Sequence, residues 1–155
     1  MHEEIESLHK NDTWELVRLP KGQRAVRCKL VYKKKEGNPV KNTRFKARLV
    51  AKGYTQKWSV YLNEVFSPFV RYTFIRVLLV LVALQDLELE QLDVKTAFLH
   101  GELEEQIYMQ QPEGFTLPGK EEYVFHLKKS LYGLKQSPRQ WYKRFDSFMI
   151  GHGYS

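Results

Sequence analysis

Two β-rich runs, Val26 to Lys35 and Thr43 to Ala51, flank a cluster of turn residues made by Glu36, Gly37, Asn38 and Pro39. Extended segments joined in this way close most simply as an antiparallel hairpin. Side chains two apart on a strand share a face, so Arg44, Lys46 and Arg48 project together while Phe45, Ala47 and Leu49 project the other way. One face of the hairpin is therefore cationic. Lys33 and Lys35 can join it from the partner strand, the register across the turn being open at this stage.

The charge around that hairpin is concentrated. The stretch Arg18 to Lys57 holds 14 basic residues against one acid, Glu36, a local charge of +13 in a chain whose net charge is +7, so the remainder carries −6. A solubility surface would intersperse the signs, whereas a basic block beside an acidic remainder reads as a docking surface for a polyanion, with nucleic acid the leading candidate. The competing reading is a solvated basic hairpin without a partner. At 155 residues the chain has about one domain's length. Its 43% hydrophobic content is enough for a packed core. The single cysteine, Cys28, excludes an internal disulfide framework and a multi-cysteine zinc site. The longest uncharged apolar run, Val77 to Leu84, is too short for the roughly 20 residues of a spanning helix. The opening Met1 to Ser7 is acidic and is not a signal peptide. These features describe a soluble intracellular chain without a membrane partner.

Other elements follow from periodicity. Asn11 to Leu19 reads as a strand closed by the turn Pro20, Lys21 and Gly22. Arg71 to Gln85, with Phe74, Leu78 and Leu81 at helical spacing, predicts a buried helix, with a buried strand as the alternative. Leu87 to Asp93 alternates apolar and acidic residues, as a half-buried strand does, and ends at Asp93. A turn at His100 and Gly101 follows, then strands at Gln106 to Gln110 and Glu122 to Lys128. Ser137 as N-cap and Pro138 at the first helical position predict a closing helix with Trp141, Phe145, Phe148 and Met149 on its apolar face, ending at Gly151.

No histidine stands at metal-ligand spacing with a second one or with the cysteine, and no phosphate-binding glycine signature occurs. The serines lack a base partner. What remains is acidic: Asp93 at a strand end, with Glu88 and Glu90 upstream. Phosphoryl-transfer polymerases need carboxylates for divalent metal and cations for the incoming triphosphate, and an acid facing a basic hairpin supplies both. The competing role for these carboxylates is a solvated strand face.

The runs QLDVKTAFLHGELEEQIYMQQPEGF (Gln91 to Phe115), KKSLYGLKQSPRQWYKRF (Lys128 to Phe145) and RFKARLVAKGYTQ (Arg44 to Gln56) resemble the reverse transcriptase of copia-type LTR retrotransposons, and the resemblance begins at Thr13. It implies an RNA-directed DNA polymerase, α+β in class, built as a partial right hand. Residues 1–155 would form one incomplete domain: 1–85 mainly fingers, 86–105 the palm strand and catalytic turn, 106–132 a return to the fingers and 133–155 a palm helix. Asp93 matches the first catalytic aspartate, a ligand of both magnesium ions, with manganese as an alternative metal, and Val94 would offer its carbonyl to one of them. Lys95, Thr96 and Ala97 match a backbone turn whose N–H groups face the triphosphate. Phe98 matches the steric gate against a 2′-hydroxyl, with core packing as its competing role. Lys33, Lys35, Lys46 and Arg48 match the hairpin that closes on the dNTP, Lys46 or Arg48 in direct contact. Gly133, Gln136, Ser137 and Pro138 match the segment bordering the nascent pair and template.

The implied partners are primer–template, dNTP, and the RNase H and integrase regions of a parent Pol polyprotein, in a cytoplasmic particle or the nucleus. The family's second motif, Tyr-x-Asp-Asp, falls beyond the last helix, and no adjacent pair of aspartates occurs here. The chain is accordingly expected to be a fragment that is inactive alone. The other readings are a basic nucleic-acid-binding module without catalysis and a degenerate retroelement relic.

Overall fold

The computed structural model describes residues 2–35, 44–56 and 70–154. The hairpin turn Glu36–Pro39 lies outside them. The class is α+β: helix α1 (His2–Lys10), strands β1 (Trp14–Arg18), β2 (Ala25–Val26), β3 (Cys28–Lys35) and β4 (Arg44–Ala51), helix α2 (Tyr72–Leu84), strands β5 (Glu102–Gln110) and β6 (Tyr123–Lys129), and helix α3 (Ser137–Gly151).

Four strands form one sheet in the order β1-β6-β5-β2, while β3 and β4 form a separate two-stranded ribbon. Strand β6 is antiparallel to both neighbours, and β2 lies parallel to β5. The register places Trp14 and Ile107 against Leu127, and Leu16 and Met109 against Phe125, so period-two alternation collects six apolar side chains on one face. Trp14 stacks on Phe125 with ring centroids 4.5 Å apart. Leu8 of α1, Leu49 and Ala51 of β4, Leu99, Leu131 and Leu134 complete this core.

The ribbon is tied to the sheet by backbone. Residue 27 alone separates β2 from β3, and the Lys52 N–H donates to the Arg27 carbonyl at 2.7 Å. The Ala51 N–H donates to the Tyr132 carbonyl at 2.7 Å. Gly53 and Gly133 permit this approach: a Cβ on Gly53 would stand 2.0 Å from the Gly133 carbonyl oxygen, and one on Gly133 2.1 Å from that of Ala51.

Three expectations change. Residues 72–84 are helical, but no residue of α2 is buried, since no described element covers any of its faces. Leu87–Asp93 is not a strand: alternation alone does not make one, because strand backbone needs a neighbour for its N–H and C=O groups, and this segment has none among the described residues. Helix α3 is capped one residue earlier than expected, at Gln136, because the Ser137 hydroxyl instead donates to the Leu131 carbonyl at 2.6 Å. Pro138 accordingly stands in the first turn at the second helical position, one place later than expected. Phe145 and Phe148 on the apolar face of α3 remain exposed. No helix among the described residues is long and apolar enough to cross a membrane.

Candidate nucleotide and nucleic-acid site

The cross-turn register resolves what alternation left open. Lys33 pairs with Lys46, Lys35 with Arg44 and Val31 with Arg48. Directly opposed residues of an antiparallel pair share a face, so Lys33, Lys46 and Arg48 lie on one side of the ribbon, while Lys34, opposite Phe45, belongs to the other. Leu30, Leu49, Cys28 and Ala51 are on the other, where Leu49 and Ala51 enter the core. Lys33 and Lys46 are exposed and make no ion pair with a described residue. Two like charges held opposite each other are destabilising, and an anion bound between them removes that cost.

At the inner end of this face the Arg48 guanidinium lies over the Tyr132 ring, 5.7 Å from its centroid, within cation–π range. The Phe98 ring meets the same tyrosine edge-on at 5.1 Å. Arg48 from the ribbon and Phe98 from the 3-10 turn Ala97–His100 are thereby brought together through Tyr132. Sequence reasoning passed over Tyr132. Its position beside Gly133 was the available signal, because a glycine admitting close backbone approach fixes the neighbouring ring against whatever docks there.

The segment carrying Asp93 is open. Asp93 and Val94 are exposed, and Asp93 has no hydrogen bond or ion pair to a described residue. Lys95 and Thr96 form a tight turn in which Thr96 is left-handed (φ 53, ψ 34) and its hydroxyl donates to the Lys95 carbonyl at 2.7 Å. The Leu99 N–H closes the turn onto the Thr96 carbonyl at 2.8 Å. The N–H groups of Lys95, Thr96, Ala97 and Phe98 donate to no described carbonyl outside regular elements.

Gly133 is exposed and Pro138 half-buried, whereas Gln136 and Ser137 are buried. The Gln136 Oε1 accepts from the Gln56 Nε2 at 3.2 Å, and Ser137 is held by Leu131. The first ties the segment to the ribbon base and the second closes the segment on itself, leaving the Gly133 backbone and the Pro138 ring as its outward surface. Among the described residues no three of His, Cys, Asp and Glu gather as a metal-binding group. One carboxylate with one carbonyl falls well short of the six or more oxygens that hard divalent ions require, so these residues do not complete a two-metal site.

The family of reverse transcriptases (RNA-dependent DNA polymerases) matches residues 11–155. The chain belongs to that family, in its copia-type branch. It is 60% identical over 154 residues to the retrovirus-related Pol polyprotein from transposon TNT 1-94 of Nicotiana tabacum, which covers 99% of this chain and 12% of that polyprotein. The retrovirus-related Pol polyproteins from transposons RE2 and RE1 of Arabidopsis thaliana are 39% and 40% identical over 155 residues, with 11% of each covered. The chain thus spans about a tenth of the length of these relatives. No solved structure matches it.

Proposed function

We propose that this chain is the fingers and first palm portion of a right-handed RNA-directed DNA polymerase, which adds dNTPs to a primer annealed to an RNA or DNA template. The observation that carries the reading is the 60% identity to a Pol polyprotein along 99% of the chain. The shared cationic face supports it, because a triphosphate needs several cations converging from one side. In this reading Lys33, Lys46 and Arg48, with Lys35 beside them, neutralise the triphosphate. The N–H groups of Lys95, Thr96 and Ala97 cradle its β and γ phosphates. Phe98, braced on Tyr132, lies under the sugar and excludes a 2′-hydroxyl. Gly133 and Pro138 border the template and nascent pair, with Gln136 and Ser137 holding that segment in place.

Asp93, with the Val94 carbonyl, is this chain's contribution to the binding of divalent metal, magnesium or manganese. When bound, the metal stabilises the attacking and leaving oxygens of the displacement. The remaining carboxylates come from elsewhere in the parent polyprotein, alongside its RNase H and integrase regions, and the 155-residue chain does not polymerise alone.

Primer extension tests this on a longer Pol product carrying the segment. Asp93→Asn should lower extension about a thousandfold or more, since several kcal/mol of charge stabilisation are lost at about tenfold per 1.4 kcal/mol. Duplex binding should stay within about twofold. Unchanged extension would sink the catalytic assignment and favour the second reading, a basic nucleic-acid-binding module, to which the solitary carboxylate already leans.

A further inference from the structure

The backbone of Tyr132 is clamped to the ribbon. Its carbonyl accepts the Ala51 N–H at 2.7 Å, and Gly133 beside it lies so close to Ala51 that a Cβ there would stand 2.1 Å from the Ala51 carbonyl oxygen. Leu131 before it and Leu134 shortly after it are buried in the core. With the main chain held on both sides, the ring can move only about its own side-chain bonds, and two neighbours restrict those. The Arg48 guanidinium covers the ring at 5.7 Å, and the Phe98 ring meets it edge-on at 5.1 Å with the planes 70° apart. Arg48 stands three positions before Ala51 on β4, so the ribbon holds this tyrosine twice, by backbone and by cation. Phe98 has less support of its own. It belongs to the short 3-10 turn Ala97–His100, where Leu99 is buried and Phe98 half-buried, and Tyr132 is the one aromatic ring it meets among the described residues. The Tyr132 hydroxyl hydrogen-bonds to no described residue.

A steric gate selects only if it does not yield. A 2′-hydroxyl adds one oxygen to the sugar, and an aromatic ring free to tilt away makes room for it. We propose that Tyr132 is a positioning residue for sugar selection: clamped to the ribbon, it holds the Phe98 ring in place, and Arg48 holds Tyr132 in the pose that does so. The inference rests on the polymerase reading given above and deepens it. An edge-to-face ring pair contributes about two- to tenfold beyond the area it buries. A cation over a partly exposed ring adds about two- to fivefold. Because Arg48 belongs both to the cationic face and to this brace, sugar selection at the 3-10 turn is coupled to the ribbon rather than set by Phe98 alone. The hydroxyl takes no part in the brace, so the ring is what matters.

The test is single-nucleotide primer extension by a longer Pol product carrying the segment, read as the ratio of kcat/KM for a ribonucleotide to that for the matching deoxynucleotide. Tyr132→Leu should raise this ratio about tenfold, the change residing in KM for the ribonucleotide, and Tyr132→Phe should restore the parent ratio. Arg48→Gln should lower kcat/KM for both nucleotides, which share the triphosphate. It should also raise the ratio about two- to fivefold while Tyr132 is present and not further in the Tyr132→Leu background. A ratio within about twofold of the parent in Tyr132→Leu would overturn the proposal. So would a Tyr132→Phe ratio as high as that of the leucine variant, which would put the hydroxyl on the substrate, or an Arg48→Gln effect of equal size in both backgrounds. Phe98→Ala with an unchanged ratio, or Asp93→Asn with unchanged extension, would instead remove the polymerase reading itself. The brace is also read without nucleotide, from urea unfolding of the 155-residue chain: Tyr132→Leu and Phe98→Leu together should cost less than the sum of the two alone. Strict additivity would overturn the proposal whatever the chain's activity.

Discussion

The ribbon base and the turn at Gly133 meet through residues that lack side chains. Gly133 has φ 89 and sits where a Cβ would meet the Ala51 carbonyl at 2.1 Å. Gly133→Ala therefore combines left-handed strain with overlap against backbone that cannot rotate away, and a stability loss of about 3 kcal/mol or more is expected from the urea midpoint. Cys28 makes a different kind of prediction. Its thiol donates to the Gln110 carbonyl at 3.3 Å, and burial pushes its pKa from 9.0 up to about 11. The native state thus holds the proton more tightly than the unfolded chain. The associated stability is fully present below pH 9 and is lost as pH rises toward 11. At pH 8 the native thiolate fraction is about a hundredfold below that of the unfolded chain, so maleimide labelling should be slower by about that factor and should accelerate in urea. Reaction at the unfolded rate in native buffer would contradict this burial.

At the scale of elements, the ribbon places function and stability in opposition. Lys46→Gln removes one of two opposed like charges, so thermal unfolding should show a gain of a few tenths of a kcal/mol, while affinity for a polyanion should fall and its salt slope flatten by roughly 0.7 to 0.9. A stability loss together with unchanged binding would mean that Lys46 has a partner in the fold. The two faces of this ribbon were legible in the sequence because a period of two assigns each side chain once the strand is recognised. Which lysine opposes which was not, because register depends on how the turn closes. Alternation misled at Leu87–Asp93, where the pattern of a strand occurs without a neighbouring strand to complete its hydrogen bonds. Helix α1 went unread because nine residues with few apolar positions carry little periodic signal, and its place is fixed by one buried side chain, Leu8. The Arg48, Tyr132 and Phe98 contacts join positions up to 84 residues apart, and only the folded chain brings them together. The candidate site was thus legible as a set of residues and illegible as an arrangement.

Across the whole molecule, apolar surface is divided unevenly. On the sheet face Ile107 and Leu127 are 0% and 1% exposed, while Leu78 and Leu81 of α2 remain 59% and 42% exposed. Burial determines what each leucine contributes: deleting the Leu127 side chain should cost about 2–5 kcal/mol through lost transfer energy and the cavity left behind. Leu78→Lys with Leu81→Lys removes apolar groups already in contact with water, so the denaturation midpoint of the 155-residue chain should change by less than about 0.5 kcal/mol. The same pair of substitutions interrupts a contiguous apolar surface of the kind that drives association. Sedimentation velocity should accordingly show less self-association than in the parent chain at equal concentration. A midpoint that falls by several kcal/mol would instead mean that α2 is covered in the chain as it exists in solution, and the helix would then have to be assigned to the core rather than to the surface.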